Sequence, residues 1–171
     1  LALALCAVCA LADPPHPIWP TRFSATVLDV SSQSSQPTFN RWFVDGTQKK
    51  ERFDGFFTFE NEGYFGTQIT DVSANTTTIV AYQSDSASCW VLQGADPMVK
   101  PSFSGFTYIG EAIVNYYNVD WWMETGTYKG QNYTLEYYDR PDNSDPVRFD
   151  FTTASFQTSL VFFEFEVMSD A

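Results

Sequence analysis

Residues Asp139 to Asp145 bring three acids and an asparagine into one short segment, in the order Asp-Arg-Pro-Asp-Asn-Ser-Asp. Carboxylate and amide oxygens on a flexible loop are the donors that calcium prefers. The spacing is not that of an EF-hand, and Asp, Asn, Ser and Pro are also ordinary turn residues. We therefore predict a calcium site formed by Asp139, Asp142 and Asp145, with a plain hairpin turn as the alternative.

Histidine and cysteine offer little catalytic chemistry in this sequence. The single histidine, His16, lies in a proline-rich segment, whereas a catalytic triad needs an imidazole held by a scaffold. Cys89 stands between Ser88 and Trp90, which is not a papain-type motif, and a zinc site would need more nitrogen and sulfur donors. The sequence also lacks the glycine-rich loops that bind phosphate.

Paired carboxylates are the remaining source of catalysis, because glycosidases use two of them across a cleft. Asp150, Glu164 and Glu166 alternate with apolar residues, however, and acids at such strand positions usually face solvent. We therefore predict that the protein is not an enzyme.

The balance of charge excludes a further class of function. The 171 residues include 21 acidic and 9 basic side chains, which gives a net charge of -12. Nucleic acids and anionic membrane surfaces are bound by basic surfaces, so neither is an expected partner. Hydrophobic residues make up 44% of the chain, which is enough to form a folded core.

The N-terminal segment Leu1–Ala12 is an apolar run that ends in the small-x-small triplet Ala10-Leu11-Ala12. It is shorter than the roughly 20 residues that a membrane span needs, and its pattern is typical of the end of a secretory signal. We predict a signal-peptide remnant over 1–12, one domain over 13–171 and no transmembrane anchor. The protein is then secreted, or it resides in the lumen of the secretory or endolysosomal system.

Secretion gives the cysteines and two sequons a specific meaning. Cys6 and Cys9 would leave with the signal, so Cys89 would either stay a buried thiol or link to another chain. Asn75-Thr76-Thr77 and Asn132-Tyr133-Thr134 are N-glycosylation sequons, and we predict that both asparagines carry glycans.

Alternation of apolar and polar residues recurs along the chain, as in Phe23–Val27, Val147–Phe151 and Phe163–Val167. It predicts strands with one buried and one solvated face, the pattern of antiparallel sheet. Turn residues separate seven further candidates: Asn40–Asp45, Lys50–Phe59, Tyr64–Thr70, Thr77–Gln83, Ser88–Gln93, Val119–Glu124 and Tyr128–Tyr138. We predict an all-β sandwich or half-open barrel of about ten strands with at most one or two short helices. The best place for a helix is Gly110–Tyr117, although Gly110 and Val114 disfavour it.

Aromatic residues make up 18% of the chain. Phe56–Phe59, Trp121-Trp122 and Tyr137-Tyr138 place rings on both faces of a strand, because successive side chains point in opposite directions. A strand that is apolar on both faces is either buried on both or lines a cavity with one of them.

Several ordered blocks resemble the ependymin-related proteins, and also the N-terminal domain of secreted cysteine proteases of the counting-factor-associated type. The first half of the chain supplies Trp19-Pro20, Phe23–Val27, Trp42–Asp45, Lys50–Asp54 and Cys89. The second half supplies Pro97, Pro101, Phe106–Glu111, Val119–Trp122, Tyr137–Asp139 and Pro146–Phe149. The resemblance covers nearly all of 13–171.

The resemblance implies a large, strongly curved antiparallel sheet that forms a half-open barrel around a deep apolar pocket. Bacterial periplasmic lipoprotein carriers share that shape. It also implies a hydrophobic ligand and an association with calcium. This sequence departs from the family in keeping only Cys89 and in having Lys50 as the first residue of a basic-x-Arg pair. Lysine lacks the planar fork that grips a carboxylate, so we expect Lys50 and Arg52 to stabilise strand pairing through Asp45 or Asp54.

We therefore predict a secreted, non-enzymatic binding module that holds a lipid-like ligand in an aromatic-lined pocket. The predicted pocket residues, each of which also suits an ordinary core, are Trp42, Phe53, Phe57, Trp122, Tyr137 and Phe149. Two alternatives stay open. One is an extracellular structural protein that uses its surface and Cys89 to contact partner chains or copies of itself. The other is the non-catalytic N-terminal domain of a secreted cysteine protease.

Overall fold

The computed structural model of the chain describes residues 13–32, 36–59, 62–95, 102–128 and 130–169. The segment 1–12, for which a signal-peptide remnant is predicted, lies outside these ranges. Within them, the structure contains no helix with the length and apolar character needed to cross a membrane.

Eleven strands and one short 3-10 turn form the regular structure of the described ranges. The first six strands are β1 (Arg22–Ser31), β2 (Thr38–Asp45), β3 (Lys50–Phe59), β4 (Glu62–Asp71), β5 (Thr76–Tyr82) and β6 (Ala87–Gln93). After the 3-10 turn Phe103–Gly105 come β7 (Thr107–Val114), β8 (Tyr117–Tyr128), β9 (Gln131–Asp139), β10 (Pro146–Thr153) and β11 (Gln157–Val167). Every predicted strand segment overlaps one of these strands.

All eleven strands belong to one open, curved antiparallel sheet with the order β6-β5-β4-β3-β2-β1-β11-β10-β9-β8-β7. The first and last strands pair in its middle, from Phe23 opposite Val167 to Ser31 opposite Thr158. The predicted all-β class and the large curved antiparallel sheet are confirmed. The described strands form this single sheet and not a sandwich of two.

Two segments cover one face of the sheet, which we call the inner face. The segment 102–106, which precedes β7, buries Phe103 and Phe106 on this face. The segment 13–20, which precedes β1, packs on the same face through Trp19. The opposite face is the outer face.

Alternation along β1 separates the two faces. Phe23 and Ala25 are buried on the inner face, whereas Ser24 points to the outer face and accepts a hydrogen bond from Arg41. Cross-strand partners share a face, so Trp42, which lies opposite Ala25, joins the same buried cluster. Burial of each large apolar side chain contributes about 1.5–3 kcal/mol, which makes this cluster the main source of stability.

The predicted helix over Gly110–Tyr117 is wrong, because this segment completes β7 and turns into β8. It contains two β-branched residues, which favour strands: Ile113 and Val114. Gly110 has a φ of 143° at a register shift in the β7–β8 ladder. The chain reverses at Asn115 and Tyr116, whose φ angles of 50° and 68° are typical of a tight two-residue hairpin turn.

Ion pairs lie across the outer face. Arg52 contacts Asp54 at 2.8 Å, so the predicted partner is confirmed, but both residues lie on β3 and the pair does not join two strands. Lys50 contacts Asp71 of β4 at 3.3 Å, not Asp45 or Asp54. Such exposed pairs contribute little to stability, so the fold depends on the inner face.

Candidate functional site

Trp19 fills the centre of the inner face. The centroid of its indole lies 5.3 Å from the ring of Phe23, 5.8 Å from that of Trp42 and 5.6 Å from that of Phe162. Its Nε1–H donates a hydrogen bond to the Tyr137 hydroxyl at 2.8 Å. Burial raises the pKa of this hydroxyl well above its ordinary value. The segment before β1 is therefore an integral part of the core.

A second cluster of rings lies beside the first and includes Phe103 and Phe106 of the segment 102–106. The ring of Phe103 lies 4.6 Å from that of Tyr137, and Trp122 is buried next to them. The ring of His16 lies 5.2 Å from the indole of Trp122, tilted by 32°. The imidazole that the sequence places in a proline-rich segment thus lies against the core.

The structure places the six predicted pocket residues largely within the packed interior. They are Trp42, Phe53, Phe57, Trp122, Tyr137 and Phe149. The two tryptophans and the tyrosine expose 2% or less of their surface. Phe53 packs against the first cluster and Phe149 against both, whereas Phe57 lies apart with its ring 6.3 Å from Tyr64. Five of the six come together, as contacts of a filled interior, and their role in binding stays a prediction.

The sheet opens between β10 and β11. Their ladder ends at the pair Arg148 and Val161, after which β11 continues beside β1 alone and β10 beside β9 alone. The diverging strands leave a cleft of about 610 Å³, which we call the β10–β11 groove. Its walls also include the β7–β8 and β9–β10 turns. The groove is lined by Asn115, Tyr116, Tyr117, Arg140, Asp145, Pro146, Val147, Phe162, Phe163, Glu164 and Phe165.

The β10–β11 groove combines a buried apolar floor with an exposed aromatic rim. Val147 and Phe162 are buried, whereas Phe163 and Tyr117 expose 43% and 46% of their surface. Tyr116, at the tip of the β7–β8 turn, is fully exposed. Exposed apolar surface of this kind at the mouth of a cleft is typical of binding sites.

A bulge in β11 accompanies the opening. Thr26 of β1 lies opposite Phe163 and Ser24 lies opposite Glu166, so β11 holds one extra residue between these pairs. Glu164 takes the left-handed conformation there, with a φ of 49°. Its carboxylate accepts hydrogen bonds from the Thr26 hydroxyl at 2.8 Å and from Arg41 at 3.1 Å. A bulge bends its strand, and this bend lies where β11 leaves β10.

Arg140 and Asp145 bring charge to the groove. The Arg140 guanidinium carbon lies 4.0 Å from the centroid of the Tyr117 ring, which is a cation–π contact. Asp145 accepts a hydrogen bond from the Asn143 amide at 2.7 Å, and burial raises the pKa of its carboxyl. The arrangement suits a ligand that is mostly apolar and carries one polar end.

The three acids predicted to bind calcium do not converge on one point. Asp139 ends β9 and is buried, with Nε1–H of Trp122 donating to its carboxylate at 2.8 Å. Asp145 is bound to Asn143, and Asp142 is exposed in the turn. In the parts of the chain that the structure describes, no group of three or more histidine, cysteine or acidic side chains is placed to hold a metal ion.

Asp139 is an unusual carboxyl for a different reason. Burial, with a smaller contribution from Asp120 opposite it on β8, raises its pKa to about 7. Asp120 is itself buried and accepts a hydrogen bond from the Tyr108 hydroxyl at 3.2 Å. Asp139 lies opposite Pro146, where the β9–β10 turn that walls the groove begins.

The remaining predicted sites are on the surface. Asn75 lies in the β4–β5 turn and Asn132 near the start of β9, and both are exposed, as glycosylation requires. Their glycosylation stays a prediction. The expectation of a buried thiol at Cys89 is wrong, because alternation along the edge strand β6 turns this residue to the outer face, where it is exposed.

Sequence reasoning missed most of the groove because its lining comes from strand ends and turns that are far apart in sequence. Tyr116, Tyr117 and Arg140 lie in or beside hairpin turns, where position in space depends on the whole sheet. The consecutive rings Phe162 and Phe163 were the available signal, since a regular half-buried strand would not place two rings in succession.

Comparison with known proteins identifies shared folds. No protein-family model matches the sequence, and no curated protein matches it. An uncharacterized conserved protein from Thermus thermophilus is 15% identical, over 88% of this chain and 81% of that one, with a TM-score of 0.55. The Mycobacterium tuberculosis lipoprotein LppX is 12% identical, over 86% and 88% of the two chains, with a TM-score of 0.50. LprF from Mycobacterium bovis is 9% identical, over 87% and 88%, with a TM-score of 0.51.

Proposed function

We propose that the protein is an extracellular, non-enzymatic binding module that holds a hydrophobic small molecule in the β10–β11 groove. The observation that carries this proposal is a cleft of about 610 Å³ with a buried apolar floor and an exposed aromatic rim. Small-molecule sites are typically clefts of about 300–1,000 Å³ lined by apolar and aromatic side chains, with a few polar groups that fix orientation.

Affinity in such a site comes from apolar ligand surface that leaves water, at about 25 cal/mol per Å². The half-exposed rings of Phe163 and Tyr117 are available for this contact. The rings predicted from the sequence are less available, because Trp42, Trp122 and Tyr137 are already surrounded by other side chains. The proposed site is therefore the groove and not the centre of the inner face.

The composition of the groove favours binding over catalysis. Its described lining contains no histidine, cysteine, serine or lysine that would supply a nucleophile with its base. Glu164 is exposed and ion-paired with Arg41 at 3.1 Å, which suits a structural carboxylate.

Membership of the ependymin-related family is the finer part of the proposal. It is supported by the ordered sequence blocks and by the single curved antiparallel sheet that the resemblance implies. The fold shared with the lipoprotein LppX supports a location outside the cytoplasm. Because the three predicted acids do not converge, calcium binding is now supported by the resemblance alone. If the unfolding temperature does not change when calcium is added, the calcium proposal is wrong.

A second candidate function is assembly through the outer face of β3 to β6. Phe56, Phe65, Tyr82 and Val91 each expose half or more of their surface on this face, and Cys89 is exposed among them. Non-reducing gels and sedimentation of the purified protein test this candidate. A Cys89-linked or non-covalent dimer would support it, and a monomer at all concentrations would remove it.

A binding assay with a neutral fluorescent dye tests the proposed groove. Nile red should bind the purified protein saturably, and hexadecanol should displace it. Phe163→Glu places a charge at the groove rim and should weaken both ligands by at least about tenfold, because apolar ligands cannot solvate a carboxylate. Phe65→Glu is the matched control, since Phe65 is similarly exposed but lies on β4.

The two variants separate the possible sites. Loss of binding in Phe163→Glu with binding retained in Phe65→Glu supports the groove. The reverse result would move the site to the outer face of β3 to β6. Absence of saturable binding by the wild-type protein would overturn the proposed function itself.

A further inference from the structure

Arg140 differs from the other four arginines of the chain in having no ion pair with a described residue. All five arginines lie in the described ranges. The other four each contact a carboxylate at 2.7 to 3.5 Å: Arg22, Arg41, Arg52 and Arg148. No carboxylate of the described residues lies within 4.0 Å of the Arg140 guanidinium. The guanidinium N–H groups donate no hydrogen bond to any described residue. In a chain with 21 acids and 9 bases, an arginine without an ion pair to any described residue is unexpected.

The position of Arg140 is fixed although its charge is not neutralised by a direct contact. The backbone N–H of Arg140 donates to the carbonyl of Asp145 at 3.0 Å, and the N–H of Ser144 donates back to the Arg140 carbonyl at 2.8 Å. The side chain lies over the Tyr117 ring. A guanidinium held in this way loses little freedom when it binds a further group.

The acids at the groove do not pair directly with Arg140. The Glu164 carboxylate is bound by Arg41 and by the Thr26 hydroxyl. Asp145 accepts a hydrogen bond from Asn143 at 2.7 Å, and burial raises the pKa of its carboxyl against the weaker attraction of Arg140, which makes no direct contact with it. Among the described residues that line the groove, Arg140 is therefore the one cation, and its guanidinium N–H groups are free to bind a ligand.

Building on the proposed function, we propose that the ligand of the β10–β11 groove is an anionic amphiphile. Its carboxylate or phosphate headgroup binds the Arg140 guanidinium, and its hydrocarbon tail lies on Val147 and Phe162. Guanidinium groups match the planar, two-oxygen geometry of these anions. A cationic headgroup is disfavoured because the Arg140 guanidinium would repel it and already occupies one face of Tyr117.

Competition against bound Nile red tests the charge preference. Palmitate and hexadecyl phosphate should displace the dye from the wild-type protein at concentrations at least about tenfold lower than hexadecanol, the effect of one charged hydrogen bond. Hexadecyltrimethylammonium should compete no better than the alcohol. Acetate and inorganic phosphate should not displace the dye, because they lack the tail.

Arg140→Met should abolish the preference for the two anions, measured as the ratio of the competing concentrations of palmitate and hexadecanol on the same variant, and methionine keeps an apolar stem over Tyr117. Arg52→Met is the matched control, because Arg52 lies on the outer face and pairs with Asp54. It should retain the full preference. If Arg140→Met does not fold, the salt dependence of palmitate binding to the wild-type protein replaces it, and high salt should weaken palmitate but not hexadecanol.

The outcomes distinguish this inference from the proposed function. Equal competition by palmitate and hexadecanol, or tighter binding of the ammonium compound, would overturn the anionic headgroup and leave the groove as a hydrophobic site. Displacement by inorganic phosphate alone would overturn the amphiphile. Failure of every compound, hexadecanol included, would count against the proposed function and not only against the headgroup.

Discussion

The centre of the inner face and the β10–β11 groove are both built from aromatic side chains, yet one is filled and the other is open. In the centre, Trp19 from the segment before β1 occupies the space between Phe23, Trp42 and Phe162. In the groove, two strands lose their ladder and no described segment covers the gap. A high content of aromatic residues does not by itself form a pocket. The pocket opens where the pairing of β10 and β11 is interrupted.

One layer of rings separates the two regions. Phe162 and Phe165 contact Trp19 at 5.6 and 6.2 Å on one side and line the groove on the other. The filled region should therefore determine stability, the open region should determine binding, and changes to this shared layer should affect both.

Removal of Trp19 should have the largest effect on the filled region. Trp19→Ala eliminates its ring contacts and leaves the Tyr137 hydroxyl without its donor. Large aromatic residues in cores cost about 3–5 kcal/mol when truncated, so we expect a loss of about 4 kcal/mol in the free energy of unfolding. Chemical denaturation followed by tryptophan fluorescence or circular dichroism measures it.

Ile18→Ala provides the control for this experiment. Ile18 is the chain neighbour of Trp19 but exposes 82% of its surface, so its truncation should change the free energy of unfolding by less than about 0.5 kcal/mol. A Trp19→Ala loss as small as the control would mean that the segment before β1 is not part of the core, and the contrast between filled and open regions would disappear.

The pH dependence of stability should show the next largest effect, through Asp139 at the junction of the two regions. Its carboxyl has a pKa of about 7 in the folded protein and 3.8 as its ordinary value. The folded state therefore holds a proton that the unfolded state releases between about pH 4 and pH 7. Stability is highest at the acidic end of this window and falls as the pH rises.

We expect this carboxyl to remove about 3 kcal/mol across the window, at roughly 1.4 kcal/mol per pH unit where the slope is steepest. Asp139→Asn should abolish the slope, because the amide oxygen still accepts from Trp122 and carries no charge. The measured quantity is the difference between the two proteins from pH 4 to pH 8, which cancels the titration of other groups. Parallel curves would show that Asp139 ionises normally.

The strands and the sheet were accessible from sequence because alternation reports directly on which side chains are buried. Phe23, Ala25 and Val27 alternate in sequence and are all buried on one face. Over Gly110–Tyr117 the consecutive apolar residues Ala112, Ile113 and Val114 hide the alternation, so a short helix is predicted there although Gly110 and Val114 disfavour one. Only the positive φ angles at Asn115 and Tyr116 reveal a hairpin.

The site was less accessible because it depends on contacts between distant segments. The local sequence pattern shows that Trp42 and Trp122 are apolar strand residues. It does not show that they belong to two neighbouring clusters, or that Trp19 packs against both. Likewise, Arg140 is a turn residue in sequence, and only the paired sheet brings it beside Phe162 of β11. The aromatic surplus correctly indicated an apolar interior, and it could not tell a filled region from an open one.

Two phenylalanine variants should separate stability from binding. Of the three changes in unfolding free energy predicted here, theirs should be the smallest. Phe165→Ala removes a half-buried ring that packs on Trp19 and Phe23, so we expect a loss of about 2 kcal/mol in unfolding free energy together with weaker dye binding. Phe163→Ala removes a ring that is 43% exposed on the groove rim, and should cost less than about 1 kcal/mol.

Both variants should weaken Nile red binding by a similar factor, because each removes one ring from the lining of the groove. Denaturation and dye titration on the same preparations give the two quantities. Equal losses of stability would show that Phe163 also belongs to the core. Unchanged binding in Phe163→Ala, with reduced binding in Phe165→Ala, would place the ligand on the inner side of the shared ring layer, where Trp19 now lies.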